Sequence, residues 1–552
     1  MRIHVDRPWL KHYPEGVSRS FDPQPMTLPQ FLAESVERFA ERPAIEYFGH
    51  TLSYSDLGEE VAVAAEVLRR ADVQKGDRVG IFLPNCPQHP FFFFGTQFAG
   101  GAAVHLSPLD AIRESEHKLR DSGARVLVTL STKTFAEKAM ELLRRGAVER
   151  VIVCEDPVSA AAVGAIGDLP KGFVRYNELA AGASRELVVP DRDPQELALL
   201  QYTGGTTGLP KGAMLSQRNI TAGTLIAVEW WKKAPGGGPD NIYLCYSPLF
   251  HALGLTGLLR RLREGALSII RQRFDVEDAL DLIEKRRIST FAGVPTMWIA
   301  IANFPGIEKR DLSSLLYLGS GAAPLPLEVS RRLESLTGHR LRGGWGMTEL
   351  GGATTIPREW PREKNGTVGI PLPGIDMQIV AADDPRKVLQ AGEVGELRVR
   401  GPCVMSGYWN KSEETKNVFV DGWLMTGDIA RMDADGYFYI VDRKKDLILS
   451  GGFNVYPLTI ENAVMEHPSV AEAMAIGVPD DYRGESAKIF VVLRPQASEF
   501  TIEELQVFLK DKLGRHEMPR LLAFLPEIPK TSVGKYSRKM LRDKVLLEAT
   551  VG

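Results

Sequence analysis

The sequence predicts an α/β protein built from a large N-terminal domain of α/β layers with a small antiparallel β unit, followed by a small α+β C-terminal domain. Three observations carry this. Strand-like and helix-like segments alternate past residue 330, the pattern of largely parallel sheets covered by helices. From roughly Gly366 to Tyr408 long helices drop out, and short strands between Gly/Pro turns read as a small antiparallel unit or barrel. Beyond the charged cluster Asp442-Arg443-Lys444-Lys445-Asp446 strands and helices mix again, which places a domain boundary there. At 552 residues the chain is too long for one core.

In order, residues 27–40 space their apolar side chains as a helix. Ala44–Phe48 and Thr51–Tyr54 flank Gly49-His50 as a hairpin, and a helix follows from about Ser55 to Arg70. Arg78–Leu83, Val126–Thr129 and Val151–Cys154 are buried-type strands. Phe91–Val104, interrupted by Gln97 and Gly100-Gly101, is too short to span a bilayer and reads as a buried helix. Asp376–Val380 and Gly395–Arg400 are strands of the antiparallel unit. In the last module Val470–Val478 and Ala487–Leu493 read as strands, Pro457–Glu466 and Thr501–Leu513 as helices.

Composition is that of a soluble globular protein, 44% hydrophobic and 25% charged. A formal charge of −3 gives no global reason to bind nucleic acid or acidic membranes. Cys86, Cys154, Cys245 and Cys403 lie far apart without metal-type spacing. No apolar h-region follows the charged N-terminus, and no retrieval tripeptide ends the chain, so the expected compartment is the cytoplasm.

The chemistry starts at Tyr202–Gly212. Gly204, Gly205 and Gly208 free the backbone for close approach to a ligand, Thr203, Thr206 and Thr207 add hydroxyls, and Lys211 adds a compact cation. Following the strand-like Leu199–Tyr202, this loop suits a polyphosphate. It is not the usual P-loop, because Pro210 precedes the lysine and Gly212 follows it. His251 ends Pro248-Leu249-Phe250, where a structural histidine is the commoner outcome. In Gly343-Gly344-Trp345-Gly346-Met347-Thr348-Glu349 the glycines bracket an indole able to stack on a flat ring, and Glu349 is a ligand type that Mg²⁺ accepts. Asp428, after Thr426-Gly427, suits ribose hydroxyls. Lys535 lies on a Gly/Ser/Thr-rich loop.

Each signal is weak alone; their order and combination are not. The chain resembles the acyl-adenylate-forming superfamily from near Leu28 to Lys539, on the 202–212 loop, Phe250-His251, Gly344–Glu349, Thr426-Gly427-Asp428, Asp442-Arg443, Ser450–Asn454 and Lys535. Within it the chain most resembles medium- to long-chain fatty-acyl-CoA synthetases. The resemblance implies that a carboxylic acid attacks ATP to give acyl-AMP and pyrophosphate, and that coenzyme A then displaces AMP. Residues 1–441 would hold the ATP and acyl sites, 442–445 a hinge matching at Lys445, and 446–552 a mobile C-terminal domain.

By position, the resemblance gives the loop Thr203, Gly204, Gly205, Thr206, Thr207, Gly208 and Lys211 to the phosphates, with Thr203 and Glu349 near Mg²⁺. Gly344, Trp345, Gly346, Met347 and Thr348 would line the nucleotide site, and Asp428 and Arg443 would bind the ribose. His251 would lie between acyl carboxylate and nucleotide, Lys535 would act during adenylation, and Gly451, Gly452 and Phe453 would line the pantetheine channel. Trp345 departs from the tyrosine of many relatives. The aromatic gate of some long-chain members is absent from Ala252–Gly257, whereas Gly319–Ala323 and Gly351–Ala353 would leave room for a slim apolar tail. The alternatives are an aryl- or dicarboxylic-acid–CoA ligase, a free-standing carrier-protein-loading enzyme, and a non-catalytic acyl-nucleotide-binding paralogue. Retention of Lys211, Glu349, Asp428, Arg443 and Lys535 argues against the last. The expected partners are small molecules, with a homodimer and transient membrane contact compatible with the reading.

Overall fold

The computed structural model describes residues 7–155, 170–203, 209–321, 327–350, 354–355, 360–451, 453–480, 482–530 and 536–551. Two seven-stranded sheets dominate the N-terminal part. The first runs Phe173–Arg175, Arg150–Cys154, Val126–Leu130, Arg78–Phe82, Ala102–His105, Leu197–Thr203, Lys211–Ser216. The second runs Leu341–Gly343, Tyr317–Ser320, Thr290–Gly293, Ile242–Cys245, Leu267–Ile270, Pro43–Tyr47, His50–Ser53. In each, every neighbouring pair is parallel except the last. Central strands such as Val126–Leu130 and Ala102–His105 are buried throughout. Helices on both faces account for their unbroken apolar runs.

One antiparallel edge comes from a tight return. Pro43–Tyr47 turns into His50–Ser53 through Phe48 (φ 46°) and Gly49 (φ 90°), two consecutive left-handed residues that match the twist of the hairpin. At the other edge, on the two sides of the Gly/Thr/Pro-rich loop, Leu197–Thr203 pairs antiparallel with Lys211–Ser216. The sequence reading has the strand before this loop but not the one after it.

The apolar stretch at Phe91 forms a shorter helix than expected, Gln88–Phe98, buried from His89 onward. Gly100, at φ 88°, turns the chain into the strand Ala102–His105, which the expected helix would have absorbed. The antiparallel unit is an open five-stranded sheet that extends beyond Tyr408 to Arg443. Trp423–Met432 pairs with Val394–Arg400 on one side and Phe438–Arg443 on the other, and so draws the later strands into the same sheet.

After Lys444–Asp446, one turn of 3₁₀ helix, a second five-stranded sheet begins at Ile448–Ser450. Its long hairpin, Val470–Asp480 with Gly484–Leu493, lies where expected. The helix expected over Thr501–Leu513 is Ile502–Leu509. Thr501 stands outside it as a cap, exchanging hydrogen bonds with Glu504. Among the described residues no helix is long and apolar enough to cross a membrane.

Candidate active site

The phosphate-loop segment is anchored at both ends. Thr203 and Lys211 are cross-strand partners at the mouth of the hairpin. His117 Nε2 lies 3.0 Å from the Pro210 carbonyl. A Cβ at Gly212 would sit 3.2 Å from the Tyr202 ring, so glycine lets the returning strand lie close to that tyrosine. Gly204, Gly205, Thr206, Thr207 and Gly208 lie outside the described residues, as do Gly452, Lys535, Ala322, Ala323 and Gly351–Ala353.

Residues 405–409 lie along the edge strand Lys211–Ser216, joined by Met214 N–H to Gly407 O and Trp409 N–H to Gly212 O. This brings Tyr408 into the site. The Lys211 ammonium stands over the Tyr408 ring, 5.2 Å from its centroid. The Tyr408 hydroxyl donates to Glu349 Oε1 at 2.7 Å. Lys211 and Glu349, 138 positions apart in sequence, thus meet across one phenol. Burial pushes the Glu349 carboxyl above its ordinary range, and the Tyr408 hydrogen bond only partly offsets that shift.

A second cluster forms on the antiparallel unit. Asp428 and Arg443 face each other across Trp423–Met432 and Phe438–Arg443, with Arg443 Nε 3.5 Å from Asp428 Oδ1. The Trp345 indole N–H donates to Asp428 Oδ2 at 2.8 Å. Gly344 and Gly346 are exposed on either side of the half-buried Trp345. Asp428 is raised by burial, with Arg443 and then Trp345 pulling the other way. The indole therefore supplies a hydrogen-bond donor as well as a flat face.

His251 is the N-cap residue of the helix Ala252–Glu264. The turn before it is held by residues that carry no motif. Asn85 Nδ2 donates to the Ser247 and Arg271 carbonyls, and Asn85 Oδ1 accepts from Leu249 N–H at 2.8 Å. Gln201 Nε2 donates to the Phe250 carbonyl at 2.8 Å. A Cβ at Gly254 would lie 2.2 Å from the Pro248 carbonyl oxygen. Ala252 and Leu350, next in sequence to His251 and Glu349, line a small apolar slot of about 20 Å³ with Leu199, Leu215, Ile220 and Leu255.

On the C-terminal sheet Gly451 adopts φ 59° and its N–H donates to Arg483 O. Phe453 is exposed, its ring 5.0 Å from that of His516, and is not brought to the Trp345–Asp428 cluster. Lys530 and Tyr536 form an antiparallel bridge that closes the base of the segment carrying Lys535.

The family model described as AMP-binding enzyme matches residues 32–409, and the AMP-binding enzyme C-terminal domain matches 459–535. The chain belongs to the AMP-binding enzyme family. A long-chain-fatty-acid–CoA ligase of Bacillus subtilis (strain 168) is 36% identical to this AMP-binding enzyme, with 98% of this chain and 99% of that protein covered. The anthranilate CoA ligase AuaEII, solved with anthranoyl-AMP, superposes with a TM-score of 0.85 at 25% identity, covering 96% and 99% of the two chains. ATP-bound MatB from Rhodopseudomonas palustris gives 0.84 at 29% identity, covering 94% and 99%, and its apo form gives 0.75 over the same shares. The resemblance to acyl-adenylate-forming, fatty-acyl-CoA-synthetase-like enzymes drawn from the motifs is borne out.

Proposed function

We propose that this AMP-binding enzyme is an ATP-dependent fatty-acid–CoA ligase acting through acyl-AMP, and that its acid is a medium- or long-chain one. The observation that carries the substrate reading is the likeness, over nearly the whole chain, to the long-chain-fatty-acid–CoA ligase of Bacillus subtilis. The polar side chains on the wall of the apolar slot turn inward to other partners: Asn219 Nδ2 donates to Pro402 O, Thr256 Oγ1 to Ala252 O, and Gln201 to Phe250 O. What remains facing the slot is hydrocarbon, but its volume of about 20 Å³ takes no more than a water-sized group, so it is an apolar wall near the site and not the seat of an alkyl tail.

In this reading Lys211, Thr203 and the loop between them hold the β- and γ-phosphates, Trp345 lines the adenine, and Asp428 with Arg443 takes the ribose. His251 stands between acid and nucleotide, and Lys535 meets the charge that builds as two anions are brought together. Glu349 would hold Mg²⁺, its carboxylate being buried with no ion-pair partner among the described residues, and Thr203 would join it by the family resemblance. When bound, the ion would neutralise phosphate charge. Residues 442–445 form the hinge between an N-terminal domain ending at 441 and a C-terminal domain starting at 446. Turning of that domain brings Gly451, Gly452 and Phe453 to the thiol's path.

The test is AMP release with CoA across straight-chain, aromatic and dicarboxylic acids. Medium and long straight-chain acids are expected to give the highest kcat/KM. A preference for aromatic or dicarboxylic acids would overturn the fatty-acid reading and leave the ligase standing.

A further inference from the structure

We propose that Gln201 is a positioning residue: its amide fixes the peptide group that aims His251, and ties that group to the strand carrying the phosphate loop. The proposal rests on the ligase reading above.

Gln201 lies two residues before Thr203 on Leu197–Thr203, so the two side chains leave the same face of the strand. Only 3% of its surface is exposed. Its Nε2 donates to the Phe250 carbonyl at 2.8 Å, and its Oε1 lies 3.0 Å from His105 Nδ1. These roles are fixed by chemistry. A backbone carbonyl only accepts, so the amide nitrogen faces Phe250 and the amide oxygen faces His105, whose Nδ1 must carry the proton. His105 is locked in turn: its ring sits 4.9 Å from His89 and 5.7 Å from Phe93, on the buried helix Gln88–Phe98. Burial holds the imidazole down at about 4, so it is neutral at pH 7.

The consequence falls on a single peptide unit. The Phe250 carbonyl and the His251 N–H belong to the same planar group. Gln201 holds its oxygen, and Pro248 O accepts from its N–H at 3.0 Å. With both ends held, the direction in which the His251 side chain leaves the backbone is set. Loss of the Gln201 amide frees one end and leaves a buried carbonyl unpaired. The disturbance lies at His251, where the acid would react, and not at Asp428 or Trp345.

Gln201→Met keeps the length and removes the donor. In pyrophosphate exchange its kcat is expected to fall about 10- to 100-fold, the scale of an ångström-level misplacement of a reacting group. KM for the acid should rise, and KM for ATP should stay within about two-fold. His105→Phe should give the same pattern by releasing the amide, while His105→Gln, which still donates to Gln201 Oε1, should restore activity. If Gln201→Met does not fold, the His105 pair decides. A folded Gln201→Met with wild-type kcat, an equal rise in both KM values, or a His105→Phe indistinguishable from His105→Gln would each overturn the proposal. Should the wild type adenylate no acid, the ligase reading falls by itself. Crystal structures then decide the positioning role, and an unmoved Phe250–His251 peptide in Gln201→Met would sink it.

Discussion

Glu349 has 6% of its surface exposed, its carboxylate facing Tyr408, with no described cation within ion-pair distance. Burial raises its proton affinity in the folded state, so ionising it takes stability away as pH rises through the raised value. Where Glu349 is ionised, the folded protein therefore carries a desolvated charge that is solvated in the unfolded chain. Glu349→Gln removes that charge and keeps an oxygen to accept from Tyr408. The expected outcome is a higher Tm at pH 7, a smaller difference from wild type at pH 5, and acyl-AMP formation lower by about 10²-fold or more. Calorimetry at the two pH values and pyrophosphate exchange check it; a lower Tm would mean that Glu349 stabilises the fold. The sequence reading takes the carboxylate after Gly-Trp-Gly-Met-Thr for a metal ligand, and the structure shows that carboxylate buried against Tyr408. Tyr408 was not legible there, since it enters only through the pairing of residues 405–409 with the Lys211–Ser216 edge. The indole of Trp345 was legible as a flat face, but its hydrogen bond to Asp428 was not, because 83 residues separate them.

At the scale of elements, strands and helices were read from apolar runs wherever burial covers both faces or one. The runs mislead where backbone geometry decides. Phe91–Val104 looks like one apolar stretch, yet Gly100 splits it into helix and strand. Lys211–Ser216 was hidden by the Gly/Pro texture in front of it, and Asp428 faces Arg443 only once the register of two strands is known. The start of the helix Ala252–Glu264 is a further case. Gly254 is there because the Pro248 carbonyl presses on its Cα, 2.2 Å from where a Cβ would be, and the same turn carries His251. Gly254→Ala must push Pro248 or the first helical turn aside. Expected are a loss of about 1–3 kcal/mol in stability, as for other overpacked sites, and a marked fall in acyl-AMP formation. Denaturant unfolding and pyrophosphate exchange measure both, and wild-type values in the two would show that the turn yields freely.

Across the whole molecule, two sheet systems meet at a short chain crossing. Asp442 belongs by its backbone to Phe438–Arg443, yet its side chain accepts from Leu458 N–H at 2.7 Å and lies 3.6 Å from Arg538, both in the C-terminal part. Asp446 is held by Arg538 and Arg542. Arg443, Lys444 and Lys445 between them are exposed, and Lys444 bonds back to Glu396 of the antiparallel unit. Lys444 and Lys445 thus lie between the last strand of the antiparallel unit, which ends at Arg443, and the first strand of the C-terminal sheet, which is where the hinge is proposed. Lys445→Pro fixes φ near −65° at that point, a value the 3₁₀ turn Lys444–Asp446 accommodates. The present arrangement should survive and any rearrangement that needs another φ should not. Acyl-AMP formation is then expected to stay within about two-fold of wild type, while thioester formation from supplied acyl-AMP and CoA falls at least about ten-fold. Single-turnover assays of the two half-reactions separate the outcomes. Equal loss of both would mean that proline distorts the site itself, and normal turnover with CoA would place the pivot elsewhere in the chain.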